Sequence, residues 1–194
     1  MAPGHIGIFG GTFDPPHLGH LAAAVNVASE LALDEIQFVV ANIPWQKVGT
    51  RPISASAHRL KMVELALQGK DRMSASAVEI SRGGESVTAD TLEHLRALCS
   101  ESTYHVILGS DAAVGIRSWK RADVLRSMAE IVIVERPGFA SQEPMMGFSC
   151  RAVRSPLVDI SSSDIRQRVR DGLPIDYLVP EAVADYVLSE GLYQ

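Results

Sequence analysis

Cysteine is scarce in this chain. Cys99 and Cys150 stand far apart in 194 residues and match no metal-ligand spacing. That excludes a disulfide framework or a zinc ribbon and leaves two reduced thiols as the expectation. Long hydrophobic runs are missing too. No apolar stretch approaches the ~18 residues of a membrane helix, and no basic-then-apolar leader opens the sequence as given. A cytoplasmic location without a membrane partner is therefore expected. Positive charge is short as well: 18 Lys and Arg against 23 Asp and Glu give a net charge of −5. General nucleic-acid binders show a basic face, so no nucleic-acid partner is expected. An acidic chain binds anions by gathering its cations in a cleft, which draws attention to Arg166, Arg168 and Arg170. Internal repeats, low-complexity segments, a Walker A loop and a G-x-G-x-x-G fingerprint are all lacking.

What is present is an ordinary globular composition, 46% hydrophobic and 21% charged, in a regular alternation. Apolar, β-branched runs at 5–9, 35–41, 73–80, 104–109, 130–134 and 148–153 read as strands. Helical patterns fall at 18–33, 55–67, 88–98, 118–127, 163–171 and 180–189. This rhythm predicts an α/β fold with a doubly wound parallel sheet. The first strand is almost uninterruptedly apolar, as it is when both sheet faces are covered. The length fits one domain, 1–194, with a small helical C-terminal part from about residue 160. The longest loops are expected at 41–53 and 136–147.

The densest feature is Gly10-Gly11-Thr12-Phe13-Asp14-Pro15-Pro16-His17-Leu18-Gly19-His20. It follows the apolar Ile6-Gly7-Ile8-Phe9 and leads into the first helix. Strand, glycine-rich turn and helix in that order bring backbone N–H groups and a helix N-terminus to one point, which suits an anion. Gly10 and Gly11 allow positive φ and let a ligand approach the backbone closely. Asp14-Pro15-Pro16 is a rigid turn that delivers His17 to the helix start. His17 and His20, three residues apart, fall on one helix face. Two imidazoles so placed can donate to one phosphoryl group. Metal binding is the rival reading, for which no third ligand stands nearby.

A second feature is Ile160-Ser161-Ser162-Ser163-Asp164-Ile165-Arg166. Ser161 with Asp164 three residues on fits a capping box, so a helix should begin here. Serine hydroxyls and N–H groups at its start can hold phosphate oxygens while Arg166 adds fixed charge. An ordinary N-cap before a solvated Arg-rich face fits the same residues, and Arg168 and Arg170 read as solvated.

Gly10 to His20 closely resembles the Gly-x-Phe-Asp-Pro-x-His-x-Gly-His motif of the nucleotidylyltransferase superfamily. Ile160 to Arg166 resembles the same superfamily's Ile-Ser-Ser-Thr-x-Ile-Arg element, with Ser163 in place of threonine. The two together imply a Rossmann-like nucleotidylyltransferase fold. Arg82-Gly83-Gly84-Glu85-Ser86-Val87-Thr88-Ala89-Asp90-Thr91 is similar to the pyridine-nucleotide segment of the nicotinate-nucleotide adenylyltransferase family, with Val87 where that family has tyrosine. Gly109-Ser110-Asp111 resembles a Gly-x-Asp at the end of its fourth strand. There Asp111 serves either a ribose hydroxyl or the next helix as a cap. Trp119-Lys120 falls where the family stacks a tryptophan on the nicotinate ring. A core position suits a tryptophan equally, although Ser118, Lys120 and Arg121 beside it are polar. Pro44-Trp45-Gln46-Lys47 stands for the family's Pro-Pro-His-Lys, looks like an actinobacterial form of it, and matches Lys47 to a phosphate-facing lysine.

The resemblance implies transfer of AMP from ATP to nicotinate mononucleotide, giving nicotinate adenine dinucleotide and pyrophosphate. Its ATP ligands carry over to Gly10, Gly11, Thr12, Phe13, His17, His20, Gly109, Asp111, Ser162, Ser163 and Arg166, and its acceptor contacts to Thr88, Trp119 and Lys120. His17, His20, Arg166 and Lys47 are the implied catalytic residues, with His20 nearest the α-phosphate. Magnesium is expected to travel with ATP rather than in a protein cage. Two alternatives stand beside this reading: transfer to another phosphate acceptor, such as nicotinamide mononucleotide or phosphopantetheine, and a non-catalytic nucleotide sensor. Homo-oligomer formation is left open.

Overall fold

The computed structural model describes residues 4–45, 49, 52–135, 147–156 and 158–194. Six strands form one parallel sheet: β1 (His5–Gly11), β2 (Glu35–Val40), β3 (Met73–Ser76), β4 (Thr103–Gly109), β5 (Glu130–Glu135) and β6 (Cys150–Arg154). Their order, β3-β2-β1-β4-β5-β6, is the doubly wound arrangement in which the winding reverses between the two central strands. β1 and β4 are those strands, in register from His5 against Thr103 to Phe9 against Ile107. Side chains alternate across β1. Ile6 and Ile8 join one apolar cluster with Leu92, Leu95, Tyr104 and Val106, and Phe9 joins the other with Val27, Ile36, Phe38 and Val63. Both faces are thus buried, which is why β1 and β2 read as continuous apolar runs.

The long helices fall close to the expected segments: α1 (Leu18–Glu30), α2 (Ser56–Ala66), α4 (Thr88–Leu98), α7 (Ser162–Arg170) and α8 (Glu181–Ser189). α4 buries Ala89, Leu92 and Leu95 along one stripe. Three expectations change. The run at 73–80 is not one strand, because β3 stops at Ser76 and α3 (Val78–Arg82) follows, closed by Gly83 at φ 74°. A short α5 (Ser110–Val114) stands directly after β4, where no helix was expected. The expected helix at 118–127 is a 3-10 turn at Ile116–Ser118 followed by α6 (Ala122–Met128).

A third apolar cluster ties the end of the chain to the sheet layer. Ile165 of α7 and Val183 and Val187 of α8 pack on Met62 and Ala66 of α2. α8 ends in a Schellman motif: the Gly191 N–H donates to Leu188 O at 3.2 Å and the Leu192 N–H to Val187 O at 3.0 Å. Gly191, at φ 61°, takes the left-handed position that this cap needs. The turn sends Leu192 and Tyr193 back over the third cluster. Among the described residues, no helix is long and apolar enough to cross a membrane.

Candidate active site

The C-terminal ends of β1, β4 and β5 open on a cleft of about 400 Å³, the place where doubly wound sheets bind ligands. Its lining includes ten residues singled out in the sequence: Gly10, Gly11, Thr12, Phe13, His17, His20, Gly109, Ser162, Ser163 and Arg166. Gly10 and Gly11 do not use the positive φ that glycine allows. Both are extended residues of β1, and neither has positive φ. They serve by having no side chain: a Cβ on Gly11 would lie 2.7 Å from Phe13 Cζ, and one on Gly10 would stand in the open cleft with nothing within 4 Å. The positive φ, 50°, belongs to Phe13. Its buried ring packs on Phe9 and Phe38, contacts that hold a backbone conformation bulky residues rarely adopt.

The Asp14-Pro15-Pro16 turn sets His17 at the N-cap of α1. The rings of His17 and His20 overlap, with centroids 3.7 Å apart and planes 33° from parallel. Phe13 meets His20 edge-on at 5.2 Å. The backbone N–H of His17 donates to His20 Nδ1 at 3.2 Å. Nδ1 is therefore an acceptor, which assigns the ring proton to Nε2. His20 enters the cleft as an N–H donor of fixed tautomer, the form a developing phosphate charge needs.

The two sequence features, far apart in the chain, are bonded to each other. Ser162 Oγ donates to Pro15 O at 2.8 Å, and Arg166 Nη1 donates to Asp14 O at 2.7 Å. Arg166 also donates to Ser163 Oγ at 3.0 Å. The guanidinium is almost fully buried and its plane is fixed from two sides. The expected N-cap is present: Ser161 Oγ accepts from the Asp164 N–H at 3.1 Å. Both serine hydroxyls of the first turn thus have protein partners. The α7 N-terminus and Arg166 remain as its charge-bearing face toward the cleft.

Asp111, Thr88, Trp119 and Lys120 do not line this cleft. Asp111 is exposed in the first turn of α5, where Gly109 is the N-cap and no side chain caps the helix. Thr88 opens α4 as expected. Trp119 is half-buried against the first apolar cluster. Lys120 pairs with Glu85 and lies 5.3 Å over the Trp45 ring. The Glu85–Ser86 loop is held from its other side by Asn42, whose N–H donates to Ser86 Oγ at 2.8 Å. Arg121 forks onto Glu93 at 2.8 and 2.6 Å, fixing the segment after Trp119 on α4. Lys47 and Gln46 lie outside the described residues.

Several functional residues were not read from the sequence. Arg59 of α2 is buried and donates to four carbonyls: Ser54, Thr12, Ala41 and Asn42, at 2.6–3.0 Å. It joins the loop after β1 to the loop after β2. A signal existed, because Arg59 shares the i, i+3, i+4, i+7 stripe of Met62, Val63 and Ala66. Asp14 is buried with its Oδ1 accepting from Tyr193 at 2.8 Å, and no local pattern announces that pair. Glu135, Ser155, Pro156 and Val158 complete the wall opposite β1.

A parallel sheet whose switch point carries a glycine edge, a histidine pair and a buried arginine on a helix start defines a nucleotide-binding α/β protein with a polyphosphate cleft. The comparisons with known proteins narrow this class. The cytidylyltransferase-like family model matches residues 8–168. A probable nicotinate-nucleotide adenylyltransferase of Saccharopolyspora erythraea is 42% identical over 97% of this chain and 89% of its own. A protein of the same name from Tropheryma whipplei is 45% identical over 95% of this chain and 97% of its own. The Plasmodium falciparum nicotinic acid mononucleotide adenylyltransferase complexed with NaAD shares the fold, with a TM-score of 0.80, 23% identity and 97% coverage of both chains. The chain belongs to the cytidylyltransferase-like family and, within it, to the nicotinate-nucleotide adenylyltransferases.

Proposed function

We propose that the cleft at the β1–β4 switch point binds ATP and that His17, His20 and Arg166 carry the reaction of the family, transfer of AMP from ATP to nicotinate mononucleotide. One observation carries the assignment: Ser162 and Arg166 are hydrogen-bonded to the loop that presents the two histidines, so the two motifs form one clamp on the cleft.

In this reading the 5′-phosphate of the mononucleotide attacks the α-phosphorus in line. The bond to the bridging oxygen breaks, and pyrophosphate leaves with the electron pair. The nucleophile is already anionic at neutral pH, so no general base is required. Positioning and charge stabilisation carry the catalysis. His20 Nε2–H donates to the α-phosphate, His17 lies beside it, and Arg166 with the α7 N-terminus receives the β- and γ-phosphates. Lys47 attracts the incoming or departing phosphate. The acceptor lies toward Thr88, Trp119 and Lys120. The donors of the clamp are imidazole, amide and guanidinium, which suit phosphate oxygens more than a magnesium ion, whose ligands are oxygens. Magnesium is proposed to enter on the triphosphate and to screen its charge. The whole chain acts as one catalytic unit in the cytoplasm.

Incubation with ATP, magnesium and, in turn, nicotinate mononucleotide, nicotinamide mononucleotide or phosphopantetheine tests the reading by pyrophosphate release. Release with nicotinate mononucleotide well above the other two is expected. Equal release with phosphopantetheine, or none with any acceptor, would sink it.

A further inference from the structure

Asp14 is a buried carboxylate in the middle of the phosphate loop, and the phosphate chemistry gives it no role. Its neighbourhood shows what it does. The Tyr193 hydroxyl donates to Asp14 Oδ1 at 2.8 Å and contacts Met62 Sδ at 3.7 Å. The backbone carbonyl of the same Asp14 accepts from Arg166 at 2.7 Å. Tyr193, Asp14 and Arg166 thus form a chain of contacts from the segment beyond α8 to the cleft wall. That segment is itself fixed: the Schellman turn at Gly191 and the packing of Leu192 on the third apolar cluster set where Tyr193 lies. Burial and the Asp14 carboxylate push the Tyr193 phenol far above its ordinary range. The hydroxyl therefore keeps its proton, and its bond to Asp14, at neutral pH.

We propose that Tyr193 is a positioning residue for the triphosphate half of the cleft, holding the Asp14 carboxylate so that the Asp14 carbonyl keeps Arg166 aimed at the phosphates. This rests on the assignment of Arg166 to the triphosphate given above. The Asp14 side chain and its own carbonyl share one Cα in a tight proline turn, so a shift of that Cα as the carboxylate seeks a new donor carries the acceptor of Arg166 with it. Loss of the phenolic O–H leaves a buried carboxylate short of one donor, an arrangement that relaxes by moving the turn.

Titration calorimetry on the full chain tests this without turnover, with adenosine 5′-(α,β-methylene)triphosphate and AMP as probes. Tyr193→Phe should bind the triphosphate about tenfold more weakly, the scale of one hydrogen bond to a charged group, and AMP unchanged. In an Arg166→Lys background the same substitution should have no further effect. Met62→Leu, which alters the packing at Tyr193 and keeps its bond to Asp14, should leave triphosphate affinity unchanged. Equal loss for AMP, additivity with Arg166→Lys, or a Met62→Leu effect as large as that of Tyr193→Phe would each overturn the proposal. Hydrogen exchange on the unmodified chain gives a second reading that does not depend on a variant's folding. Binding of the methylene triphosphate should slow exchange in residues 191–194; an unchanged tail contradicts the coupling. If the unmodified chain fails to bind the triphosphate, the functional assignment is at fault. If it binds, and Arg166→Lys weakens binding while Tyr193→Phe does not, the positioning role alone is lost.

Discussion

His20 and Arg59 show two ways in which a single side chain serves this cleft. In the proposed reaction His20 acts as a donor: Nδ1 accepts from the His17 N–H at 3.2 Å, which assigns the ring proton to Nε2. His20→Ala is expected to lower kcat by about 100-fold, the scale of one lost oxyanion-type donor, as measured by pyrophosphate release under saturating substrates. His20→Gln, which returns an N–H near the Nε2 position, should fall between the two. Arg59 acts through what it holds together. Arg59→Met keeps the buried stem but abandons the carbonyls of Ser54, Thr12, Ala41 and Asn42. A loss of about 3 kcal/mol in urea unfolding is expected, because several buried acceptors lose their donor at once. The histidines were legible in the sequence because their spacing and their turn are local. Arg59 was legible in principle, since it interrupts the apolar stripe of α2, but reading it requires accepting a buried cation. Tyr193 could not be read, because nothing near residue 14 or residue 193 points to the other.

At the scale of elements, the end of β1 governs the site. Gly11 and Phe13 are fitted to each other: the glycine has no side chain, and the ring occupies that space. Gly11→Ala would place a methyl carbon 2.7 Å from a ring already buried against Phe9 and Phe38. It should cost about 1–3 kcal/mol by overpacking and raise the KM for ATP; an unchanged thermal midpoint would show that Phe13 moves aside easily. Local signals also explain where the sequence reading went astray. The run at 73–80 ends in Val78 and Ile80, which favour strands, yet the helix stop Arg82–Gly83 was present and marks α3. The same Arg82–Gly83 pair also opens the motif that runs to Thr91. α5, at five residues, is too short to show a period. The α7 N-cap was legible because Ser161 and Asp164 form it alone.

The molecule as a whole responds to pH through the opposite end of its sheet. His105 of β4 lies buried beside β1 and β5, with Nδ1 3.0 Å from Glu130, the His5 ring stacked at 5.8 Å and Arg151 bonded to the same carboxyl group. Burial holds the imidazole below its ordinary value of 6.5; the bond to Glu130 pulls it upward without overcoming burial, and His5 and Arg151 add to the lowering. The folded state therefore binds fewer protons here than the unfolded chain. This share of stability is complete above about pH 6.5 and is lost as pH falls below it. The thermal midpoint should drop from pH 7.5 to pH 5.5, and His105→Gln should flatten that part of the curve; an equally steep curve in the variant would assign the effect elsewhere. The alternation of strands and helices was enough to predict the parallel sheet and the end at which its cleft opens. The strand order was not legible, because crossover geometry sets it and no residue pattern records it. The same long-range logic bears on how the protein is made. Asp14 and Tyr193 lie 179 residues apart, about 9–36 s of synthesis at ordinary ribosomal speeds. The phosphate loop leaves the ribosome well before Tyr193, and it gains this partner for its buried carboxylate only once Tyr193 has been added. Throughout that interval a growing chain carries an unfinished clamp.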